Sequence, residues 1–241
     1  MPELPDLDVV ADALHAALSG RPIVAARAVS PLVVRGTPAE LDPLTGQHVR
    51  RIARIGKLLD IALDRDRVVI NQMLTGRLQL AADESVKAPA GLAVVVAFGA
   101  RHGGAPRDAA AWTAGAGWVA PDSASPEVRY RDPTQMGKVY LLPAGVARPV
   151  PGLGPGEIGP DALDPGLTLE VWRERIRRHP GELKNLLRNQ AFVAGIGNAY
   201  ADEILHAARL LPARRRSSLA PEEVDALYRA MRTTLASAVT L

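Results

Sequence analysis

The sequence predicts an α+β protein in which an N-terminal helix and an antiparallel β-sandwich domain are followed by an all-α domain. Three observations favour this order: an amphipathic run at the start, short β-rich runs separated by turn residues, and helical spacing in the last third of the chain. With 241 residues, 47% of them apolar, the chain can bury two modest cores. The predicted limits are 1–143 for the N-terminal domain, 144–167 for a Pro/Gly-rich linker and 168–241 for the helical domain.

The first element is an amphipathic helix. Apolar residues recur at steps of three and four from Leu4 to Leu18, which places them on one helical face. Proline is common in a first turn, and Ser19-Gly20 offers a stop signal.

Short β-rich runs follow this helix, separated by turn residues such as Asp64-Arg65-Asp66. The predicted strands are residues 23–29, 49–53, 58–63, 68–73, 92–98 and 139–142. Strands of this length and spacing are typical of an antiparallel sandwich or barrel. Residues 101–127 are rich in Gly, Ala, Pro and Ser and lack periodicity, so a long loop is predicted there.

Beyond the Pro/Gly-rich stretch the apolar spacing becomes helical. The predicted helices are residues 171–178, 183–189, 198–210 and 221–238. Pro180-Gly181 and the Gly-Ile-Gly turn at 195–197 separate them. Two glycines around one apolar residue allow a sharp turn and are expected to leave backbone amides uncovered before the helix at Asn198, where a phosphate could bind.

Composition excludes several classes of function. Cysteine is absent, which removes disulfides, thiolate metal sites and cysteine nucleophiles. The histidines lack the spacing of metal ligands, so we expect neither a metal nor a cofactor; they are His15, His48, His102, His179 and His206. No long apolar run and no signal peptide is present, which predicts a cytoplasmic protein without membrane insertion.

Positive charge is concentrated in one segment. The net charge of the chain is +3, but residues 173–216 alone carry ten Lys or Arg against four acidic residues, so the remainder is negative. Such a concentration is expected of a surface that binds a polyanion. The alternative is a solvated helical face with ion pairs four residues apart, which the run Arg173-Glu174-Arg175 also fits.

The N-terminus offers a nucleophile. Removal of Met1 would turn Pro2 into a secondary α-amine, and roughly a tenth of such amines are unprotonated at neutral pH, far more than lysine side chains. An amine of this kind forms Schiff bases, and Glu3 beside it could transfer protons. The alternative is that the two prolines only start the helix.

Two segments together resemble one family closely. Pro-Glu-Leu-Pro at 2–5 and Gly-Ile-Gly-Asn-Ala-Tyr-Ala-Asp-Glu at 195–203 are similar to the formamidopyrimidine-DNA glycosylase and endonuclease VIII family of base-excision repair enzymes. Shorter matches follow in the right order at 56–59, 74–78, Asp132-Pro133 with Gly137, and 158–163. The resemblance covers nearly the whole chain.

The resemblance implies a bifunctional DNA glycosylase and AP lyase that acts on oxidised or ring-opened bases, with 168–241 as a helix-two-turn-helix DNA-binding domain. Pro2 would be the Schiff-base nucleophile, Glu3 the acid and base, and Lys57 the residue that stabilises a phosphate. Double-stranded DNA with damaged or abasic sites would be the partner of a monomeric enzyme. The residues expected to bind DNA are Asn71, Lys184, Gly195, Gly197 and Asn198.

The sequence departs from the family pattern in the segments expected to enter the duplex. Asp6 stands where Glu is common, which leaves it a candidate auxiliary acid, and Asn71 stands where His is frequent. Thr-Gln-Met at 134–136 replaces the usual Arg-Arg-Phe, so no residue of this loop evidently replaces the arginine that faces the orphaned base. The candidate base wedges are Gln72, Met73, Leu74 and Met136. Lesion preference stays open.

The end of the sequence also departs from the family pattern. Family members usually continue into a zinc finger with four cysteines, and this sequence stops at Leu241, for which weaker DNA binding is expected. Two alternative functions remain open. A catalytically inactive homologue that binds damaged DNA is the rival hypothesis, favoured by the altered loops. The other hypothesis is an unrelated N-terminal-proline enzyme that acts on small carbonyl compounds.

Overall fold

A computed structural model describes residues 1–101, 103–104, 106–117, 119 and 124–239. The chain divides into two compact units. The first comprises Met1–Pro2, Leu7–Arg54 and Leu58–Arg148, and the second comprises Glu3–Asp6, Ile55–Lys57 and Pro149–Leu241. Two short N-terminal pieces therefore belong to the helical unit. The domain limits drawn from the sequence stay a prediction.

Helix α1, Leu4–Leu18, is the predicted amphipathic helix. Its first turn contains Pro5, whose missing N–H costs nothing there. The carboxylate of Asp6 accepts the backbone N–H of Glu3 at 2.9 Å, as the third residue of a capping box does. The apolar face of α1 is buried from Leu7 to Leu18.

Among the described residues, nine strands form two sheets, all within the first unit except for Ile55 at the end of the third strand. They are β1 Ile23–Ala28, β2 Val34–Arg35, β3 Val49–Ile55, β4 Leu58–Leu63, β5 Arg67–Asn71, β6 Arg77–Ala81, β7 Leu92–Phe98, β8 Glu127–Arg131 and β9 Lys138–Leu142. The strand orders are β1-β7-β8-β6 and β2-β9-β5-β4-β3. Every pairing with a described register is antiparallel except the two-residue pairing of β2 with β9. The antiparallel prediction is therefore confirmed, with one short parallel exception.

One apolar cluster joins α1 to both sheets. It includes Leu14 from the helix, Phe98 and Tyr130 from the smaller sheet, and Leu59 and Leu141 from the larger one. Burying a leucine or phenylalanine side chain contributes about 1.5–3 kcal/mol, so this cluster is the main source of stability in the unit.

Strands β2, β6 and β8 were absent from the sequence prediction. In β8 the inward Val128 and Tyr130 alternate with charged residues, a period-two pattern that directly follows a Gly- and Ala-rich stretch. Within the predicted loop 101–127, Ala111–Gly115 forms a short 3₁₀ helix. His102 and the other gaps of this stretch lie outside the described residues.

The second unit contains the predicted helices. They are α2 Leu169–Arg178, α3 Leu183–Arg188, α4 Asn198–Ala207 and α5 Pro221–Val239. Its core is built around the fully buried Trp172, whose ring centroid lies 5.0 Å from that of Phe192 and 6.0 Å from that of Tyr228. Leu4 from the start of the chain belongs to the same core. In the portion of the chain described, no helix is long and apolar enough to span a bilayer.

Candidate functional site

The carboxylate of Glu3 lies at the N-terminus of α4. It accepts the backbone N–H groups of Gly197 at 2.7 Å, Ala199 at 2.9 Å and Tyr200 at 3.1 Å, and the residue is only 4% exposed. First-turn amides of a helix lack intrahelical partners and carry partial positive charge, so they stabilise a buried carboxylate. Glu3 therefore caps α4 from the other end of the sequence.

The Gly-Ile-Gly turn makes this approach possible. Gly195 has φ +100°, a left-handed conformation, and a Cβ there would lie 2.8 Å from Leu4 Cδ1. A Cβ on Gly197 would overlap the carboxylate carbon of Glu3. The carbonyl of Gly195 also accepts the N–H of Leu4 at 2.9 Å. Both glycines are thus required by the close passage of residues 3 and 4.

Two of the amides that this turn is expected to leave open to a phosphate are occupied in the structure. The N–H of Gly197 donates to Glu3, and the N–H of Gly195 donates to the side-chain oxygen of Gln190 at 3.0 Å. The sequence pattern could not reveal an occupant almost two hundred residues away. A role of Gly195 and Gly197 in DNA binding remains a prediction, and it cannot depend on these two amides in the observed arrangement.

Lys57 belongs to the same unit, and the charge of Glu3 acts on its pKa. Burial lowers the pKa of Lys57 below its usual value; the Glu3 carboxylate opposes this effect, and the Arg188 guanidinium adds to it. Lys57, Glu3 and Arg188 therefore form one electrostatic group, in which two cations accompany one buried carboxylate.

Arg188 is a member of this group that the sequence analysis did not single out. It is the last residue of α3 and is exposed. Within the described residues, no hydrogen bond or ion pair engages its guanidinium. The only sequence signal was its place in the basic segment 173–216, which it shares with nine other cations.

Several cations of that segment are paired. Lys184 contacts Asp202 at 2.8 Å, and Arg173 contacts Asp225 at 2.6 Å. Arg178 pairs with Glu174 four residues earlier, as the solvated-face interpretation requires. The charge available to a polyanion is therefore smaller than the count of basic residues indicates.

The other candidates near α4 differ in exposure. Asn198, the first residue of α4, is exposed. Asp6 is exposed as well, but its carboxylate already accepts the N–H of Glu3. Half-buried Tyr200 has a raised pKa, chiefly because of burial and then because of the charges of Asp6, Glu3 and Glu203. Its phenol is consequently neutral at physiological pH.

The wedge candidates lie on two turns of the first unit. Leu74 is 58% exposed and Met136 is 48% exposed, whereas Met73 is half-buried. Gln72 is only 4% exposed, so its side chain does not lie at the surface here, and its role as a wedge remains a prediction. The exposed apolar side chain of this turn is Leu74, three residues after the end of β5 at Asn71.

Asn71 shapes the first of these turns. Its side-chain oxygen accepts the N–H of Met73 at 3.1 Å, an Asx-type turn, and Met73 has φ +50°. Its predicted contact with DNA remains a prediction. Among the described residues, no three His, Asp or Glu side chains converge as metal ligands would.

Known proteins match the chain in both segments. Residues 1–139 match the family described as Formamidopyrimidine-DNA glycosylase N-terminal domain, and residues 158–241 match the Formamidopyrimidine-DNA glycosylase H2TH domain. A formamidopyrimidine-DNA glycosylase of Symbiobacterium thermophilum is 34% identical over 242 residues, which cover 99% of this chain and 70% of that protein. The corresponding protein of Heliobacterium modesticaldum is 32% identical over 98% of this chain and 77% of its own length.

The fold has solved counterparts. One is the Lactococcus lactis formamidopyrimidine-DNA glycosylase bound non-covalently to DNA containing an AP site, with a TM-score of 0.79 at 22% identity over 99% of this chain and 82% of that one. The fold class and the resemblance found in the sequence are therefore confirmed, and the C-terminal unit is a helix-two-turn-helix domain. The chain belongs to the formamidopyrimidine-DNA glycosylase family.

Proposed function

We propose that the protein is a bifunctional DNA glycosylase and AP lyase of base-excision repair. The single observation that carries this proposal is the anchoring of Glu3, directly after Pro2, on the first-turn amides of α4. A nucleophile one peptide bond from a buried, fully hydrogen-bonded carboxylate is held next to a group that can transfer protons. The family and its named relatives support the substrate class, DNA with damaged bases.

The chemistry assigned to Pro2 requires removal of Met1, because only a free secondary amine is nucleophilic. A damaged base is extruded from the stack, at an unstacking cost of a few kcal/mol. The Pro2 nitrogen attacks C1′, the C1′–N glycosidic bond breaks, and the base leaves with a proton. The proton of the new ammonium group is transferred to the ring oxygen O4′, the C1′–O4′ bond breaks, and the nitrogen lone pair forms the C1′=N iminium ion. This cation acidifies C2′, and loss of a C2′ proton expels the 3′ phosphate.

Glu3 serves this sequence as a fixed negative group. Three N–H donors hold its two oxygens, so the carboxylate is oriented without reorganisation during the reaction. It stabilises the cationic sugar and relays protons around the ring oxygen. Asp6, three residues after Glu3, accepts the backbone N–H of Glu3, which supports an orienting role more than a second acid.

Phosphate contacts are assigned to Lys57, Asn198 and Arg188, with Lys184 as a paired, weaker contributor. Such contacts fix register without reading sequence, and their affinity falls steeply with salt. Leu74 and Met136 are assigned to fill the space left by the extruded nucleotide, and Asn71 to the adjacent backbone.

A catalytically inactive homologue is the second candidate. The observation that favours it is Thr-Gln-Met at 134–136, which offers no guanidinium to the orphaned base. Borohydride trapping on abasic-site duplex separates the two, provided that mass spectrometry first shows Pro2 as the N-terminus. A covalent adduct that disappears in Pro2→Gly supports the lyase. Absence of an adduct from correctly processed protein supports the inactive binder.

A further inference from the structure

Asp132 is a buried carboxylate that joins two separate turns. It is 2% exposed and accepts the hydroxyl of Thr75 from the turn after β5. From the turn before β9 it accepts the Thr134 hydroxyl at 3.1 Å and the Gly137 N–H at 2.6 Å. The two threonine hydroxyls also contact each other at 2.5 Å. A single side chain thus ties residues that are nearly sixty positions apart.

Each of these turns presents one exposed apolar side chain. Leu74 directly precedes Thr75, and Met136 lies between Thr134 and Gly137. Both turns contain a residue with positive φ, Met73 at +50° in the first and Gln135 at +56° in the second. Backbones of this kind persist only where surrounding contacts hold them. The hydrogen bonds to Asp132 are such contacts.

The site is well suited to keep Asp132 charged. Burial alone would raise the pKa of Asp132, but the hydrogen bonds from Thr75, Gly137 and Thr134 outweigh it and lower that pKa. Tyr130, almost fully buried below, has a raised pKa because of burial and the neighbouring Asp132 charge, so it adds no second anion. Hydrogen bonds to an ionised acceptor are about twice as strong as neutral ones.

We propose that Asp132 is a positioning residue that makes Leu74 and Met136 one rigid two-pronged wedge, so that the two side chains enter damaged duplex together. This inference rests on the proposed DNA-binding function. Two independent turns would each lose conformational freedom on insertion, whereas a pair fixed beforehand has already lost it. The Asp132 bridge therefore restricts the two turns that carry Leu74 and Met136 before they meet the duplex.

A double-mutant cycle tests the coupling. Affinity for an abasic-site duplex is measured by fluorescence anisotropy for Leu74→Ala, Met136→Ala and the double variant. In the wild-type background each single change is expected to remove most of the wedge. The fold-loss of affinity in the double variant should therefore be smaller than the product of the two single fold-losses by a factor of at least about five. The same cycle is then measured in a Thr75→Val, Thr134→Val background, where the hydroxyls are gone. There the loss in the Leu74, Met136 double variant should lie within about twofold of the product of the single losses, as for independent effects.

Thr113→Val is the matched control, because Thr113 is also buried and, among the described residues, its hydroxyl bonds only the carbonyl of Ala110. Coupling should survive in this background. Asp132→Asn gives a second route to the uncoupled state, and thermal unfolding establishes that each background is folded. Independent, multiplicative losses in the wild type overturn the proposal while leaving DNA binding intact. Unchanged affinity in both single variants overturns the wedge itself, and absence of any salt-sensitive duplex affinity overturns the proposed function.

Discussion

The carboxylate of Glu3 accepts the N–H of Gly197 at 2.7 Å, although 194 positions separate the two residues. This bond places the residue after the candidate nucleophile on the first turn of α4. The geometry leaves no room for a side chain at 197, because a Cβ there would overlap the carboxylate carbon. The N-terminus and the Gly-Ile-Gly turn therefore depend on each other.

The first prediction follows from that overlap. Gly197→Ala should displace Glu3 from the amides of Gly197, Ala199 and Tyr200, and lower the free energy of unfolding by on the order of 2 kcal/mol or more, since bonds to a buried charge are lost. Base release should fall with it. Gly197 has φ −119°, so backbone strain does not contribute. Chemical denaturation and single-turnover base release measure the two effects.

Gly115→Ala is the control for this change, because a Cβ at Gly115 would meet no described residue within 4 Å. It should alter neither stability nor base release. If Gly197→Ala were as neutral as Gly115→Ala, the close approach of Glu3 to the turn would not exist in solution.

The second prediction concerns the charge of Glu3. Glu3→Gln keeps the shape but turns an NH₂ group toward backbone donors, so we expect a loss of about 1–3 kcal/mol in stability. Base release should fall more than strand cleavage at a preformed abasic site, because departure of the base needs an additional proton transfer. Parallel assays on a damaged and an abasic duplex give the ratio; equal losses on both substrates contradict this division of labour.

The fold was predictable where the pattern is local. The three- and four-residue spacing from Leu4 to Leu18 predicts α1 because helical periodicity is encoded within a few turns. The same reasoning predicts α2 to α5 within a few residues. Strand β8 was missed because its pairing partners, β6 and β7, lie far away in sequence, and only the pairing makes its alternation meaningful.

The identities of the site residues could be predicted from the sequence, but the contacts between them could not. Motif resemblance identifies Glu3, Lys57 and Gly197 as site residues, but it does not show that Glu3 occupies the amides around Gly197. Motif position likewise makes Gln72 a wedge candidate but does not show that its side chain is buried. A shift of one residue at a strand end changes which side chains face inward. Arg188 was invisible because nothing in its local sequence distinguishes it from other arginines of the segment.

The third prediction uses the lowered pKa of Lys57. Burial lowers the pKa, so Lys57 loses its positive charge at a pH below the usual lysine value, and its phosphate contact is lost as pH rises through that lowered pKa. Duplex affinity measured from pH 7 toward pH 10 should therefore decline in the wild type. Lys57→Arg should remove this part of the decline, because arginine stays charged throughout. Parallel pH curves for the two proteins would rule out Lys57 as the titrating contact.

The fourth prediction concerns Arg188, which is exposed and carries no ion pair among the described residues. Arg188→Gln should reduce the slope of log affinity against log salt by about 1, the value for one lost phosphate contact. Because the charge of Arg188 lowers the pKa of Lys57, the same variant should also move the alkaline loss of affinity to higher pH. Arg178→Gln is the matched control: Arg178 is exposed and paired with Glu174, so its removal should leave both the slope and the pH curve unchanged. Equal effects of the two substitutions would mean that general charge, rather than the group of Lys57, Glu3 and Arg188, governs binding.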